Sequence, residues 1–376
     1  MSCMSLLMTI SAIVGVKVAP SEDLATLPLA FQFLVLMVFS IPASLGMGRY
    51  GRRVGFSLGA LCGLSGGLLA AFAVLSGDFF LLCLGTGLVG VASAHATYFR
   101  FAAADTAREG ERSKAISWVL AGGVLAAVLG PQLAKETRGL FGPESYAGAF
   151  FAIAVLQVMI LGILQFIRIP RPDRRIAAAG RGAAALLAQP AFFTALLCSV
   201  VSYGAMNLIM VATPLAMVHH HHGFDSAATV IQLHVLAMFL PSFFTGNLIQ
   251  RVGLRPVLVA GVFMILGCVA INFTGVAFLQ FAGSLVLLGV GWNFLFVGGS
   301  TLLVRNYRPE EQARAQAIND FSTFTMVTAT AFGSGALLNA LGWQVVNLAV
   351  VPALLLVLLF ILRATSRKAG VAAREA

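Results

Sequence analysis

The chain carries two similar basic segments that lie 202 positions apart, each between long apolar runs. SLGMGRYGRR occupies residues 44–53, and GNLIQRVGLR occupies residues 246–255. A second pair keeps the same offset, since REGERSKAI ends at Ile116 and PEEQARAQAI ends at Ile318. Two matches at one offset indicate two copies of one unit. Weak internal symmetry of this kind is typical of membrane transporters.

The composition excludes an ordinary soluble protein. Charged residues make up 10% of the chain and apolar residues 59%, with a mean hydropathy of +0.93. A soluble protein has about 25% charged residues, and one soluble core cannot bury so much apolar surface. The class is therefore integral membrane. The five cysteines lie in apolar runs, at spacings that fit neither a disulfide framework nor a zinc site.

The apolar runs have the length of membrane spans, which need about 20 residues, and backbone groups in lipid must be hydrogen-bonded within the segment. We predict an all-α membrane protein with twelve transmembrane helices in two pseudo-symmetric six-helix bundles. The predicted spans one to twelve are 1–16, 26–46, 54–75, 79–99, 115–134, 147–167, 191–216, 226–249, 257–276, 278–303, 317–340 and 343–363. Because the offset from span seven would place the start of span one about ten residues before Met1, we expect a short span one or an earlier natural start.

The lysines and arginines define the orientation. With the N-terminus inside, 21 of the 24 fall in inner connections or the C-terminal tail. This is the positive-inside pattern, so we predict a bacterial inner-membrane protein with both termini in the cytoplasm. The net charge of +10 thus reflects topology, and the expected partner is the lipid bilayer, not nucleic acid. The basic, alanine-rich stretch 168–190 is the predicted linker between bundles 1–167 and 191–364, and 365–376 form the tail.

Twelve spans with a basic motif after spans two and eight resemble the major facilitator superfamily. The family's loop signature is Gly-x-Leu-Ala-Asp-Arg-x-Gly-Arg-Lys. The matching positions are Arg49, Gly51, Arg52 and Arg53 in the first copy, and Gly246, Leu248, Arg251, Gly253 and Arg255 in the second. The resemblance implies a conformational latch at these loops. Gly48 and Gln250, however, stand where the family has the acid that helps to latch the cytoplasmic side.

A second resemblance is the antiporter-type segment of span five, GGVLAAVLGPQLA, which retains Gly130 and Pro131. It implies exchange against an ion, with a proton as the candidate. Cys83 of span four occupies the position of an arginine that is often tied to proton coupling in the family. That difference counts against simple proton antiport.

Asp320, at the start of span eleven, is the acidic residue that falls inside a predicted span. A charge within the bilayer costs several kcal/mol, so it indicates function. Asp320 is either a coupling or gating carboxylate, or an acid that favours the positive end of a helix. One hypothesis combines the two: Asp320 replaces the missing loop acid and pairs with Arg49, Arg52 or Arg53 when the inner side is closed.

The other candidates for substrate binding or coupling are polar or aromatic residues in or near the spans: Gln32, His95, Tyr98, Tyr203, Asn207, His234, Trp292, Asn293 and Asn319. A histidine can relay protons near neutral pH. Gln32 and His234 are equivalent at the 202-residue offset, and Trp292 can stack on an aromatic substrate. The alternative for each of them is packing against a neighbouring helix.

A histidine tract, His219, His220, His221 and His222, lies in the predicted outer loop after span seven. Such tracts can bind transition metals, but only Asp225 adds a ligand nearby, so an incidental tract is favoured over a metal site. The glycine pattern GTGLVG at 85–90 lies within a span and follows no strand, so it does not predict a nucleotide site. We expect no cofactor, and the lack of a nucleophile–base pattern argues against an enzyme.

These observations predict a monomeric secondary active transporter that moves a small organic molecule by alternating access. The low charge of the spans favours a neutral, zwitterionic or amphipathic substrate. Coupling to an ion gradient is expected, and efflux is favoured over uptake. The alternative is a transporter-like membrane sensor that binds a ligand without moving it. Such sensors usually carry a soluble signalling domain, whereas only about a dozen residues follow Arg363.

Overall fold

The computed structural model describes residues 2–20, 24, 27–142, 145–167, 169 and 180–372. The predicted linker and tail lie partly outside the described residues. The side chain of Pro131 also lies outside them, as do those of several other helical positions.

Helices occupy all twelve predicted positions. Spans one to six correspond to Ser2–Val18, Leu27–Tyr50, Arg52–Ser76, Phe79–Ala96 with Phe99–Thr106, Arg112–Thr137 and Ala147–Phe166. Spans seven to twelve correspond to Pro190–His219, Phe224–Phe239 with Ser242–Val252, Leu254–Thr274, Phe278–Asn306, Gln312–Leu348 and Val351–Ala372. A short helix, Ala183–Leu187, and two 3₁₀ turns, Glu109–Glu111 and Pro309–Glu311, lie in the connections.

The helices have membrane-spanning length and composition. In the described part of the chain, nine helices are long and apolar enough to cross a bilayer. The two helices of span eight are each too short, but together they would form a tenth span. One of the nine, Pro309–Arg363, runs through spans eleven and twelve together. Span one has 17 residues, slightly fewer than the usual 20 or so. The all-helical membrane fold is therefore confirmed.

Two spans differ from what the hydropathy pattern predicts, span eight by a bend and span eleven by an earlier start. Span eight bends by 42° between Phe239 and Ser242, next to Pro241, which has no backbone N–H to donate. The helix Gln312–Leu348 breaks at Gly342, which has a φ of 82° and lies between the predicted spans eleven and twelve, and it begins earlier than the predicted start of span eleven. Asp320 consequently lies about two turns inside the helix.

The chain forms two compact units. Unit 1 contains Met1–Ala102, Gly122–Gly180 and Pro309–Phe324, and unit 2 contains Ala103–Ala121, Arg181–Arg308 and Thr325–Ala376. The start of span eleven thus packs within unit 1, and the start of span five packs within unit 2. The bundles 1–167 and 191–364 that the sequence suggests remain predictions.

Small residues allow the helices within each unit to pack closely. In unit 1, a Cβ on Gly66 would lie 2.6 Å from the carbonyl oxygen of Gly85, so spans three and four are in contact at their backbones. In unit 2, a Cβ on Gly261 would lie 3.0 Å from the carbonyl oxygen of Gly291, which brings spans nine and ten together. This packing fixes the positions of the polar and aromatic residues described next.

Candidate functional site

An aromatic cluster lies within unit 2, formed by Tyr203 of span seven, Phe239 of span eight, and Trp292 and Phe296 of span ten. The rings of Trp292 and Phe296 are stacked, with centroids 5.0 Å apart and planes 18° apart. Tyr203 meets both rings edge-on, at 5.1 Å and 4.8 Å, and Phe239 meets Trp292 edge-on at 5.8 Å. Stacked and edge-on contacts are the arrangements that aromatic rings prefer.

The cluster has an unused hydrogen-bond donor at its centre. Trp292 is fully buried, whereas Tyr203 is partly exposed. The Nε1–H of Trp292 has no hydrogen-bond partner among the described residues, although a buried indole usually has one. The cluster therefore places two partly exposed rings, those of Tyr203 and Phe239, beside a buried donor, an arrangement that suits a planar ligand with acceptor atoms.

His234 is a second buried polar residue of unit 2. Its Nδ1 donates to the carbonyl oxygen of Leu285 at 2.8 Å, since a carbonyl oxygen can only accept. Nε2 has no partner within the described ranges. The neutral imidazole thus carries its hydrogen on Nδ1 and leaves Nε2 as an acceptor.

The asparagine side chains named from the sequence are used in packing. Asn293 donates to the carbonyl oxygen of Met238 at 2.7 Å and to Ser242 Oγ at 2.5 Å, while its Oδ1 accepts from Thr245 at 2.7 Å. It therefore holds both sides of the bend in span eight. Asn207 joins span seven to span eleven, with bonds of 3.1 Å to Val327 and 3.0 Å to Thr330.

Unit 1 contains three further candidates. Gln32 is fully buried, and neither of its amide atoms has a partner in the described part of the chain. The ring of His95 hydrogen-bonds the carbonyl oxygen of Val91 at 2.9 Å and packs on Gly59. The Tyr98 hydroxyl donates to the carbonyl oxygen of Ser40 at 2.8 Å. These contacts favour packing roles for His95 and Tyr98 and leave the amide of Gln32 available.

A buried ion pair joins spans four and eleven within unit 1. Arg100 Nη2 lies 2.5 Å from Asp320 Oδ1, and the two side chains are 6% and 0% exposed. Asn319 Nδ2 donates to the same oxygen at 2.8 Å, while Asp320 Oδ2 has no partner among the residues described. The partner found for Asp320 is thus Arg100, which is not one of the three loop arginines that we named.

The start of span eleven also contacts spans two and three. Ser44 Oγ donates to the carbonyl oxygen of Ala313 at 2.7 Å, and Arg52 Nη2 donates to Gln316 Oε1 at 2.9 Å. A Cβ on Gly48 would lie only 2.7 Å from the Cβ of Ala313. A carboxylate side chain at Gly48 would therefore overlap Ala313 in this structure. We refer to these contacts and the ion pair as the unit 1 seam.

Unit 2 repeats the arrangement with span eight and the start of span five. Ser117 Oγ donates to the carbonyl oxygen of Ser242 at 2.5 Å and accepts from the backbone N–H of Gly246 at 3.0 Å. Gln250 Nε2 donates to the carbonyl oxygen of Gly110 at 2.5 Å. An ionised aspartate cannot donate, so glutamine suits this position. These contacts form the unit 2 seam.

The glycine at the equivalent position of each basic loop has the same backbone conformation in both copies. Gly51 has a φ of 93° and Gly253 a φ of 91°, a left-handed region that favours glycine. In the first copy, Arg53 donates to Gln165 Oε1 at 2.6 Å, and the Arg49 guanidinium lies 5.4 Å from the ring centroid of Tyr50. In the second copy, Arg251 and Arg255 are exposed.

The remaining motifs are explained by packing. A Cβ on Gly130 would lie 2.5 Å from Ser5 Oγ and 2.8 Å from the backbone nitrogen of Leu6, so this glycine lets span five approach span one. The side chain of Pro131 lies outside the described residues. In the histidine tract, His222 Nε2 donates to the carbonyl oxygen of Val276 at 2.7 Å. Among the described residues, no group of three His, Cys, Asp or Glu side chains is placed to hold a metal.

Three residues of these sites were missed from the sequence. Phe296 follows Trp292 by one helical turn, so the spacing could have revealed it. Phe239 carried no such signal. Arg100 was assigned to the inner connection after span four, because a hydropathy pattern places an arginine at the end of a span in the aqueous loop. The structure instead places it in a helix, 5% exposed.

Comparison with known proteins agrees with this architecture. The family model of the Major Facilitator Superfamily matches the chain twice, over residues 1–198 and 195–376. The riboflavin transporter RfnT of Brucella anthropi is 38% identical over 94% of this chain and 89% of its own length. The uncharacterised MFS-type transporter YddS of Bacillus subtilis is 29% identical over 89% and 79%.

A solved structure supports the fold alone. The human organic anion transporter MFSD10 superimposes with a TM-score of 0.78 at 13% identity, covering 96% of this chain and 95% of that one. The two family matches fall on the two copies of the 202-residue repeat. The chain therefore belongs to the major facilitator superfamily and is a multi-pass membrane transporter of that family.

Proposed function

We propose that this protein is a secondary active transporter of riboflavin or a closely related flavin. The aromatic cluster carries the proposal, because it combines partly exposed aromatic rings with an indole N–H that has no partner among the described residues. A relative named as a riboflavin transporter, 38% identical along nearly the whole chain, supports the same substrate class.

The chemistry of a flavin fits the cluster. Its ring system is planar, tricyclic, uncharged at neutral pH, and bears carbonyl and ring-nitrogen acceptors. Such a ring can lie against Tyr203, which is partly exposed like Phe239, while one of its acceptor atoms accepts a hydrogen bond from Trp292 Nε1–H. The four cluster residues are uncharged, which agrees with the neutral or amphipathic substrate expected from the sequence.

We further propose that transport proceeds by alternating access in a monomer of the bacterial inner membrane, with both termini in the cytoplasm and a proton as coupling ion. Efflux remains the direction favoured by the sequence. That preference depends on the antiporter-type motif of span five. The Gly130 of this motif also allows span five to pack closely against span one. Direction is therefore measured separately from substrate.

The test is counterflow in proteoliposomes. Vesicles loaded with unlabelled riboflavin should accumulate labelled riboflavin only when they contain the protein. Unlabelled riboflavin should compete, whereas flavin mononucleotide should compete poorly, because its phosphate would be placed against uncharged rings at a high desolvation cost. Saturable binding without counterflow would support the sensor, and neither binding nor counterflow would exclude flavins.

A second measurement gives direction and coupling. Net riboflavin flux is followed in oriented vesicles with an imposed pH gradient and again without one. Accumulation against the flavin gradient only when the pH gradient is present supports proton coupling. Flux that ignores the pH gradient contradicts it, and the side of accumulation decides between efflux and uptake.

A further inference from the structure

We propose that His234 recognises the ribityl chain of a bound flavin, because its Nε2 can accept a hydrogen bond from a hydroxyl of that chain. The inference rests on the proposed flavin transport and deepens it, since it assigns a second polar contact beside the aromatic cluster. His234 would thereby distinguish flavins that carry a polyol chain from flavins that consist of the ring system alone.

His234 lies on the same helix pair as the aromatic cluster, between spans eight and ten. Its Nδ1 donates to the carbonyl oxygen of Leu285 at 2.8 Å. A Cβ on Gly289 would lie 2.8 Å from the carbonyl oxygen of His234, so the two spans touch at their backbones here. Leu285, Gly289 and Trp292 recur at intervals of four and three residues and therefore share one face of span ten. His234 consequently packs on the helix face that bears Trp292.

The Nε2 atom of His234 is a buried acceptor without a partner. The side chain is 0% exposed, and Nε2 is unpaired in the part of the chain that the structure describes. Buried polar atoms in native proteins are nearly always hydrogen-bonded, and an unpaired one destabilises the fold. Because Nδ1 carries the hydrogen that binds Leu285, Nε2 can only accept. The position therefore fits a ligand group that donates a hydrogen bond.

Trp292 and His234 offer opposite hydrogen-bonding groups to a ligand. The indole Nε1–H of Trp292 can only donate, so it fits the carbonyl and ring-nitrogen acceptors of a flavin. His234 Nε2 fits a donor, and riboflavin has two kinds of donor, the ring N3–H and the ribityl hydroxyls. Riboflavin can therefore satisfy both of these buried groups.

The spacing along span ten favours the hydroxyls over the ring N3–H. Leu285, which holds His234, precedes Trp292 by seven residues, or about 10 Å along the axis at roughly 1.5 Å per residue. The N3–H lies between the two ring carbonyls, directly beside the acceptors that Trp292 would bind. The ribityl chain instead extends away from the ring on rotatable bonds, so its hydroxyls can reach the level of His234.

The first copy of the repeat has the buried polar residue but not the aromatic cluster. At the 202-residue offset, Gln32 corresponds to His234, and Gly90 corresponds to Trp292. A Cβ on Gly90 would lie 2.5 Å from the carbonyl oxygen of Gln32, so an indole has no room at that position. The combination of a buried acceptor with an aromatic donor on one helix face therefore belongs to unit 2.

The test compares riboflavin with lumiflavin, which has the same ring system but a methyl group in place of the ribityl chain. The Kd of each flavin is measured with the purified protein by quenching of flavin fluorescence. The parent should bind riboflavin about tenfold more tightly than lumiflavin, because lumiflavin leaves His234 Nε2 unpaired. Equal affinities in the parent would overturn the inference without any variant.

His234→Leu removes the acceptor and should weaken riboflavin binding roughly three- to tenfold. The Kd of lumiflavin should stay unchanged, so that the preference for riboflavin disappears. His234→Phe serves the same purpose if the leucine variant melts far below the parent. His234→Gln, whose amide oxygen can accept, should retain most of the preference.

The matched control is His222→Leu. His222 also hydrogen-bonds a backbone carbonyl, that of Val276 at 2.7 Å, but it is exposed and lies outside the aromatic cluster. This variant should keep the parent's preference for riboflavin over lumiflavin. An equal loss of preference in His222→Leu and His234→Leu would contradict a specific role for His234.

The remaining outcomes separate this inference from the proposed substrate. A preference for riboflavin that survives in His234→Leu would show that another residue binds the ribityl chain. Loss of both flavins in His234→Leu at the parent's Tm would show that the imidazole supports the cluster instead. In both cases flavin transport stands and the inference fails. A parent that binds neither flavin would overturn the proposed substrate and this inference together.

Discussion

Replacing Gly246 with alanine should abolish transport and lower the Tm of the purified protein. A Cβ at this position would lie 2.7 Å from the Cα of Lys114, 2.9 Å from the carbonyl oxygen of Ser113 and 3.0 Å from the nitrogen of Lys114. All three atoms belong to backbone, so no rotamer change relieves the overlap. Overpacking of this kind costs about 1–3 kcal/mol, and it falls on the seam that holds the start of span five.

The matched control is Gly283→Ala in span ten. Nothing lies within 4 Å of a Cβ built at Gly283, so alanine meets open space there. Because glycine within a helix is less stable than alanine by roughly 0.5–1 kcal/mol, this variant should keep its activity and melt at the same temperature or slightly higher. Equal behaviour of the two variants in Tm and counterflow would contradict a steric role for Gly246.

The repeat predicted the helices well because bilayer physics leaves few alternatives. A run of about 20 apolar residues must be helical in lipid, and two copies at one offset place twelve such runs. The same offset made Gly51 and Gly253 equivalent, and in the structure the two glycines have similar positive φ angles of 93° and 91°. These features depend on local sequence and on periodicity, which one chain displays.

Contacts between distant residues were harder to predict. Asp320 was identified because an acid inside a span is rare, but its partner lies 220 positions away in sequence, and hydropathy had assigned Arg100 to a loop. The sequence shows that the acid is missing at Gly48, whereas the close contact of Gly48 with Ala313 depends on how the start of span eleven packs. The sequence identifies an unusual residue, but its contacts depend on how the helices pack.

The aromatic cluster illustrates the same division. Tyr203 and Trp292 were candidates because they are aromatic residues with polar atoms within spans seven and ten. Their edge-on contact at 5.1 Å and the unused Nε1–H of Trp292 depend on helix rotation, which the sequence pattern leaves open. The proposed flavin substrate depends on this ring geometry together with the relative that is named as a riboflavin transporter.

Trp292→Ala should eliminate riboflavin binding, and Trp292→Phe should separate that loss from damage to the fold. Truncating a buried tryptophan to alanine costs about 3–5 kcal/mol of stability, so the alanine variant alone is ambiguous. Phenylalanine retains a ring to stack on Phe296 and removes the N–H that has no partner among the described residues, but the smaller ring also leaves a cavity at this buried position. Removal of an unsatisfied buried donor, which costs about 1–3 kcal/mol, offsets much of the cavity cost, so the ligand-free Phe variant should melt close to the parent and well above Trp292→Ala.

Riboflavin affinity should fall in Trp292→Phe although most of the thermal stability is kept. Loss of one hydrogen bond, worth about 0.5–1.5 kcal/mol, should weaken binding of riboflavin roughly three- to tenfold in Trp292→Phe, measured by quenching of flavin fluorescence. The matched control is Trp343→Phe, since Trp343 is also buried and its Nε1 lacks a partner in the described part of the chain, yet it lies outside the aromatic cluster. If both variants weaken binding equally, or if Trp292→Phe binds riboflavin like the parent, then the indole N–H of Trp292 does not hold the flavin.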